Sequence, residues 1–220
     1  MKALFLGSIG TLSDTSELQR RAFNEAFHRH GLDWSWPRDD YRRMLREAGG
    51  RRRIEAQAED RGAEVDAVAV HATKSEVFQG YLLAGQAQPR PGILRALKRA
   101  RDEGLKLGLV TTTTRGNVDA ILRAVGLDHD AFDVTTSLDD VSAPKPAPDC
   151  YRLAADRLGI ETRDAVAVED NADGVRAARA AGCDVVAWPG ENNQGHDFGG
   201  ARMAGDDIAS AIWAEPAAAS

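Results

Sequence analysis

The sequence predicts an α/β protein, a parallel sheet with helices on both faces and a helical insertion near its start. Three observations carry that expectation. Short runs rich in Val and Leu recur without polar alternation at 105–111, 132–136, 165–169 and 184–188, the signature of strands buried on both faces. Helical stripes separate these runs. A long segment, 16–83, shows no convincing strand although residues 3–6 before it read as one.

The elements follow in order. Residues 3–6 are apolar and end at a Gly-Thr turn, so they form a buried strand with an exposed tip. Leu18, Ala22, Phe23, Ala26 and Phe27 fall on one helical face, and the segments after them are helical and rich in Arg and Ala. This gives a cap of residues 16–83 inserted into a core built from 1–15 and 84–220. Such an insertion sits over the carboxyl ends of the strands, where open α/β sheets bind ligands. Ile93, Leu94 and Leu97 begin the next stripe, which Gly104 can close in a left-handed cap. Val118, Ile121, Leu122 and Val125 recur at i, i+3, i+4 and i+7 before Gly126, and Tyr151, Ala154, Ala155 and Leu158 precede Gly159. The Gly/Asn-rich stretch 189–200 reads as a loop, and the last residues, AEPAAAS, as a frayed tail.

Composition narrows the function. A chain of 220 residues, 43% hydrophobic and 28% charged, suits a globular protein with a proper core. A formal net charge of -6 argues against general nucleic-acid binding. No apolar run approaches the roughly 18 residues of a membrane span. The start shows no leader pattern, and two cysteines without framework spacing, Cys150 and Cys183, point to a reducing, cytoplasmic setting.

A site at the strand tips must be built from what those tips carry. Thr111 to Thr114 follow the 105–111 strand, and their hydroxyls and N–H groups can hold an anion beside the next helix; β-branched residues also simply end strands well. Lys145 lies between Pro144 and Pro146, which stiffen and aim a single cation, although a loop lysine is more often solvated. Glu169 and Asp170 end a strand, as oxygen donors to Mg²⁺ do and as turn formers also do.

In the order strand, gap, Thr, Lys, Glu-Asp, these features resemble the haloacid dehalogenase-like (HAD) hydrolase superfamily. GTLSDT at 10–15, RPG at 90–92, KPAPD at 145–149 and the text from Glu169 to Gly182 extend the match along the chain. Finer details look like the CbbY-type branch of sugar-bisphosphate phosphatases: ELQRRAFNEAF at 17–27, GGRRRI at 49–54, TTTTRGNV at 111–118 and DFGGA at 197–201. The resemblance implies a Rossmann-like core with a cap, and a phosphorylated sugar as ligand. Thr111, Thr112 and Lys145 would hold phosphoryl oxygens. Gln19, Arg51 and Arg53 would face the substrate from the cap, Gln19 standing where the branch usually has His. Glu169, Asp170 and the backbone carbonyl of Ile9 would hold Mg²⁺. It implies no organic cofactor and no nucleic-acid or membrane partner, and a monomer is expected.

Two positions break the pattern. The family's nucleophilic Asp falls at Gly7 and its acid/base Asp at Ile9. An aspartyl-phosphate needs a carboxylate, and leaving-group protonation needs a positioned acid; neither residue supplies one. Strand alternation would also turn Ser8 away from the site. Loss of the first Asp removes one Mg²⁺ ligand, so weak metal binding is expected. Three readings follow: an inactive homologue that binds a phosphosugar, a weak hydrolase using water assisted by Asp170 or Asp14, and a scaffold in which the old pocket is irrelevant.

Overall fold

The computed structural model describes residues 1–46, 49–205 and 207–214. The expected tail beyond Ala214 lies outside the described residues. Six parallel strands form one sheet in the order β3-β2-β1-β4-β5-β6. They are β1 (Ala3–Leu6), β2 (Lys106–Val110), β3 (Val134–Thr136), β4 (Ala165–Glu169), β5 (Asp184–Ala187) and β6 (Arg202–Met203). β1 is central: Leu6 lies opposite Leu109 of β2 and Val168 of β4. The order of connection reverses at β1, so the tips of β1, β2 and β4 open onto one crevice.

Every residue of β1 and β4 is buried, as their unbroken apolar runs require. One face of the sheet packs Leu4, Leu6, Leu109, Val166 and Val168 with the stripes of α6 (Ile93–Asp102) and α7 (Arg115–Ala124). The other packs Ala3, Phe5, Val110 and Ala167 against α8 (Asp149–Leu158) and α9 (Ala172–Ala181). Gly104, Gly126 and Gly159 follow their helices with φ of 73, 72 and 66°, the left-handed closure open to a residue without Cβ. Cys150 and Cys183 are both free and buried.

One expectation is corrected and one strand is added. Leu94 is 42% exposed, and the buried stripe of α6 runs instead through Ile93, Ala96, Leu97 and Ala100. The run after the Gly/Asn-rich loop supplies a sixth strand, whose two residues pair with Val186 and Ala187.

Between β1 and α6 lie a four-residue helix, α1 (Ile9–Leu12), and four longer ones: α2 (Ser16–Arg29), α3 (Arg38–Met44), α4 (Gly50–Arg61) and α5 (Ala67–Leu83). Asp66 caps α5, accepting from the N–H groups of Val68 and Ala69, which otherwise lack partners at a helix start. The insertion has its own core of Phe23, Phe27, Trp36, Tyr41, Ile54 and Val70. Phe27 meets Trp36 edge-on at 4.8 Å between ring centres, and Phe23 lies 4.7 Å from the same ring. Each fully buried ring of this kind contributes on the order of 2–3 kcal/mol. The opposite ends of α2 and α5 (Leu18, Ala22, Val77, Phe78 and Leu82) join the main core.

Candidate functional site

The β1 tip ends earlier than alternation suggests. The last ladder bond runs from the Gly7 N–H to the Val168 carbonyl (2.8 Å), and Ser8 then caps α1, its hydroxyl accepting from the Gly10 N–H (3.0 Å). Because Ser8 is a cap and not a strand residue, its side chain is not turned away: Oγ donates to Asp170 Oδ1 at 2.7 Å. Ile9, 5% exposed, belongs to the main apolar core. The side chain at position 9 is therefore a core group.

Gly7 has no positive φ, so its backbone does not call for glycine. Its surroundings do. A Cβ built on Gly7 would lie 2.2 Å from Glu169 Oε1 and 2.3 Å from the Tyr151 hydroxyl oxygen. A Cβ on Gly174 would lie 2.1 Å from the Glu169 carboxyl carbon. The carboxyl group of Glu169 is thus held between two glycines, fully buried.

Lys145, 8% exposed, reaches the same point. Its ammonium donates to the carbonyls of Gly7 and Val110 (2.7 Å for the latter) and to Glu169 Oε1 at 2.5 Å. Three donors are thereby used, the full complement of an ammonium. Tyr151 donates to the same Oε1 at 2.6 Å. Burial pushes the Glu169 carboxyl upward, and Lys145 opposes that rise. The Tyr151 phenol is pushed well above its ordinary value by burial and by the adjacent Glu169.

The threonine loop is connected differently. Thr111, buried, accepts from the Thr113 N–H through its hydroxyl (3.1 Å). Thr113 accepts from Asn117 (2.9 Å), whose amide oxygen accepts from Gln79 of α5 at 3.0 Å. Thr112 is half-buried on the same loop.

In the insertion, Gln19 accepts a hydrogen bond from Lys74, a residue that sequence reasoning overlooked. Lys74 is 4% exposed and lies 4.8 and 5.1 Å from the rings of Phe23 and Phe78. Burial, with help from Arg53, lowers its ammonium to about 7. The available signal was position: Lys74 falls on the buried face of α5 with Val70, Val77 and Phe78. Arg53 donates to the Met44 carbonyl (3.1 Å), its guanidinium 6.0 Å from the centre of the Tyr41 ring. Arg51 is exposed and pairs with Glu55 at 3.1 Å. Arg90 ties the β1 tip to the β5 tip, donating to the carbonyls of Gly10 (3.3 Å), Trp188 (2.7 Å) and Pro189 (3.0 Å) while stacking 3.5 Å over Trp188.

The Mg²⁺ donor set implied by the family is partly engaged in internal contacts. Glu169 gives Oε1 to Lys145 and Tyr151, and its Oε2 is buried without a hydrogen-bond partner. Asp170 Oδ1 is shared by Ser8 and Asn171, and the Ile9 carbonyl accepts the Ser13 N–H (3.1 Å). No group of three or more His, Cys, Asp or Glu residues able to hold a metal occurs among the described residues. Two carboxylates, one of them paired with Lys145, are what the strand tips offer to a cation that usually keeps several of its own waters.

Comparison with known proteins settles the lineage. Residues 1–182 match the haloacid dehalogenase-like hydrolase family. The chain belongs to that family. It is 38% identical to CbbY of Rhodobacter capsulatus over 216 residues, covering 96% of this chain and 95% of the relative. Identity to the plasmid-borne CbbY of Cupriavidus necator is 40%, covering 92% of this chain and 84% of that one. The crystal structure of CbbY from Rhodobacter sphaeroides in complex with phosphate superposes with a TM-score of 0.87 at 35% identity, covering 96% and 99% of the two chains. A mutant of the same protein in complex with xylulose-(1,5)bisphosphate gives 0.87 at 36% identity, with the same coverage. No described helix is long and apolar enough to cross a membrane.

Proposed function

We propose that this chain is a CbbY-type homologue that binds a phosphorylated sugar without hydrolysing it, residues 16–83 acting as its cap. The observation that carries the reading is the pair Gly7 and Ile9. At the first, a neighbouring carboxylate lies where a nucleophile's side chain would be; at the second, the side chain is part of the core. Covalent phosphoryl transfer needs an oxygen nucleophile in line with phosphorus and an acid for the leaving group. The chain keeps hydroxyls and backbone N–H groups at 111–114, and Gln19 with Lys74, Arg51 and Arg53 on the insertion. With Lys145 engaged by Gly7, Val110 and Glu169, the threonine loop is the first contact for a phosphate and Lys145 a second that must let go of an internal partner. Mg²⁺ makes at most a weak contribution in this reading. Binding by this chain follows what its relative in complex with xylulose-(1,5)bisphosphate does.

The test measures two quantities on the same preparation. Phosphate release from a panel of sugar mono- and bisphosphates is expected to match a Lys145→Ala control, while calorimetry is expected to give a saturable heat with at least one bisphosphate. Release well above that control overturns the loss of catalysis, and no saturable heat with any member of the panel overturns the binding role.

One observation favours residual hydrolysis as a second reading: the Ser8 hydroxyl donates to Asp170 at 2.7 Å, as a serine beside a general base does. In that case Ser8→Ala abolishes any release the parent shows; release unaffected by Ser8→Ala rejects it.

A further inference from the structure

Helix α5 of the insertion reaches the threonine loop through one side chain. We infer that Gln79 is a positioning residue for that loop: acting through Asn117, it leaves the Thr113 hydroxyl proton free to be donated to an anion. This role rests on the phosphate-binding reading above and extends it to a residue that touches no ligand.

Asn117 is 4% exposed, so both ends of its amide need partners. Its oxygen accepts from Gln79 Nε2 at 3.0 Å, and its nitrogen donates to Thr113 Oγ1 at 2.9 Å. An amide carries donors at one end and an acceptor at the other, so fixing one end fixes the other. A hydroxyl that accepts from Asn117 keeps its single proton for another partner, and among the described residues no protein group takes the proton of Thr113. Thr111 shows the same pattern, its hydroxyl accepting the Thr113 N–H at 3.1 Å and giving its own proton to no described group. Two hydroxyls of one loop therefore accept internally and keep their protons to donate, the polarity that a phosphoryl oxygen requires. Packing holds the relay together: α5 lies against α7, and its Val77 and Phe78 share a core with Val118 and Ile121. Gln79, half-buried, has an amide that can donate or accept, and only the donating orientation is compatible with an outward Thr113 proton. A carboxylate at this position could only accept. Asn117 would then turn over, and its oxygen would draw the Thr113 proton inward.

Four chains are titrated with inorganic phosphate by calorimetry and melted without it: the parent, Gln79→Glu, Gly80→Glu and Thr113→Val. Thr113→Val is expected to weaken phosphate binding roughly tenfold, and Gln79→Glu to do the same. Gln79→Glu is nonetheless expected to melt within about 3 °C of the parent, since both ends of the Asn117 amide stay paired. A purely structural role would move binding and melting together. Gly80→Glu sets the same charge one residue along α5, at an exposed position where a Cβ meets nothing within 4 Å, and is expected to bind within roughly twofold of the parent. Added to Thr113→Val, Gln79→Glu should weaken binding no further, because the proton it redirects is already gone. Binding by Gln79→Glu equal to the parent's, or an equal loss in Gly80→Glu, overturns the relay and leaves the phosphate site standing. No saturable heat in the parent overturns phosphate binding at the loop, and the relay with it.

Discussion

Replacing Lys74 by Met keeps an unbranched apolar stem and removes the buried ammonium, so it isolates the cost of the charge. In the folded protein this group sits at about 7 instead of the ordinary 10.5, chiefly through burial and secondarily through Arg53. Between those values the unfolded chain carries a proton that the folded chain has released. More protons on the unfolded side means stability rises with pH, by about 1.4 kcal/mol per unit for one group. The group is half titrated at pH 7, so the parent should gain about 2 kcal/mol on Lys74→Met between pH 7 and pH 9. Below pH 7 both states bind the proton and the difference levels off. His71, which shares this neighbourhood and is held down to about 4, stays neutral over the range and does not blur the result. Urea unfolding followed by tryptophan fluorescence is the assay, since Trp36 lies in the adjoining cluster. A gap between parent and variant that is constant from pH 7 to pH 9 would refute the reasoning, because Lys74 would then titrate as an exposed lysine does.

Two more outcomes follow from the geometry. Asp140 receives Ser137 through both its N–H and its hydroxyl, and Arg157 at 2.8 Å; these contacts, Arg157 first, hold its carboxyl down to about 2. A lowered acid contributes above its unfolded value and loses that contribution as pH falls through about 2, so Asp140→Asn should cost about 1 kcal/mol at pH 7, allowing for solvent around Arg157, and nothing near pH 2 in acid-unfolding curves. Arg90→Ala removes three bonds to carbonyls and the stacking on Trp188; about 3 kcal/mol should be lost in urea unfolding, and Arg90→Lys should recover less than half because an ammonium cannot span the three acceptors as a guanidinium does.

The sequence made the central sheet legible because strands buried on both faces leave unbroken apolar runs, and the helical stripes closed by Gly104, Gly126 and Gly159 are equally local signals. β6 was not legible: two residues, Arg202 and Met203, carry no period, and only the edge of β5 makes them a strand. Leu94 misled for a related reason, since adjacent aliphatic residues at a helix start, Ile93 and Leu94, do not reveal which of them the sheet will cover. At the site, residue types and spacing placed Thr111, Lys145, Glu169 and Asp170 at strand tips. Their partners could not be read, because Glu169 meets Gly7 only through the side-by-side register of β1 and β4, and Lys145 reaches both from the loop before α8. Ser8 was misjudged because alternation holds only while a strand continues, and β1 stops at Leu6.

The crowding around Gly7 also bears on how that position can change. Any side chain introduced there first meets the Glu169 carboxyl and the Tyr151 hydroxyl. A substitution at 7 is therefore read through its neighbours: its effect follows from where those two side-chain ends move and which acceptor Lys145 then keeps.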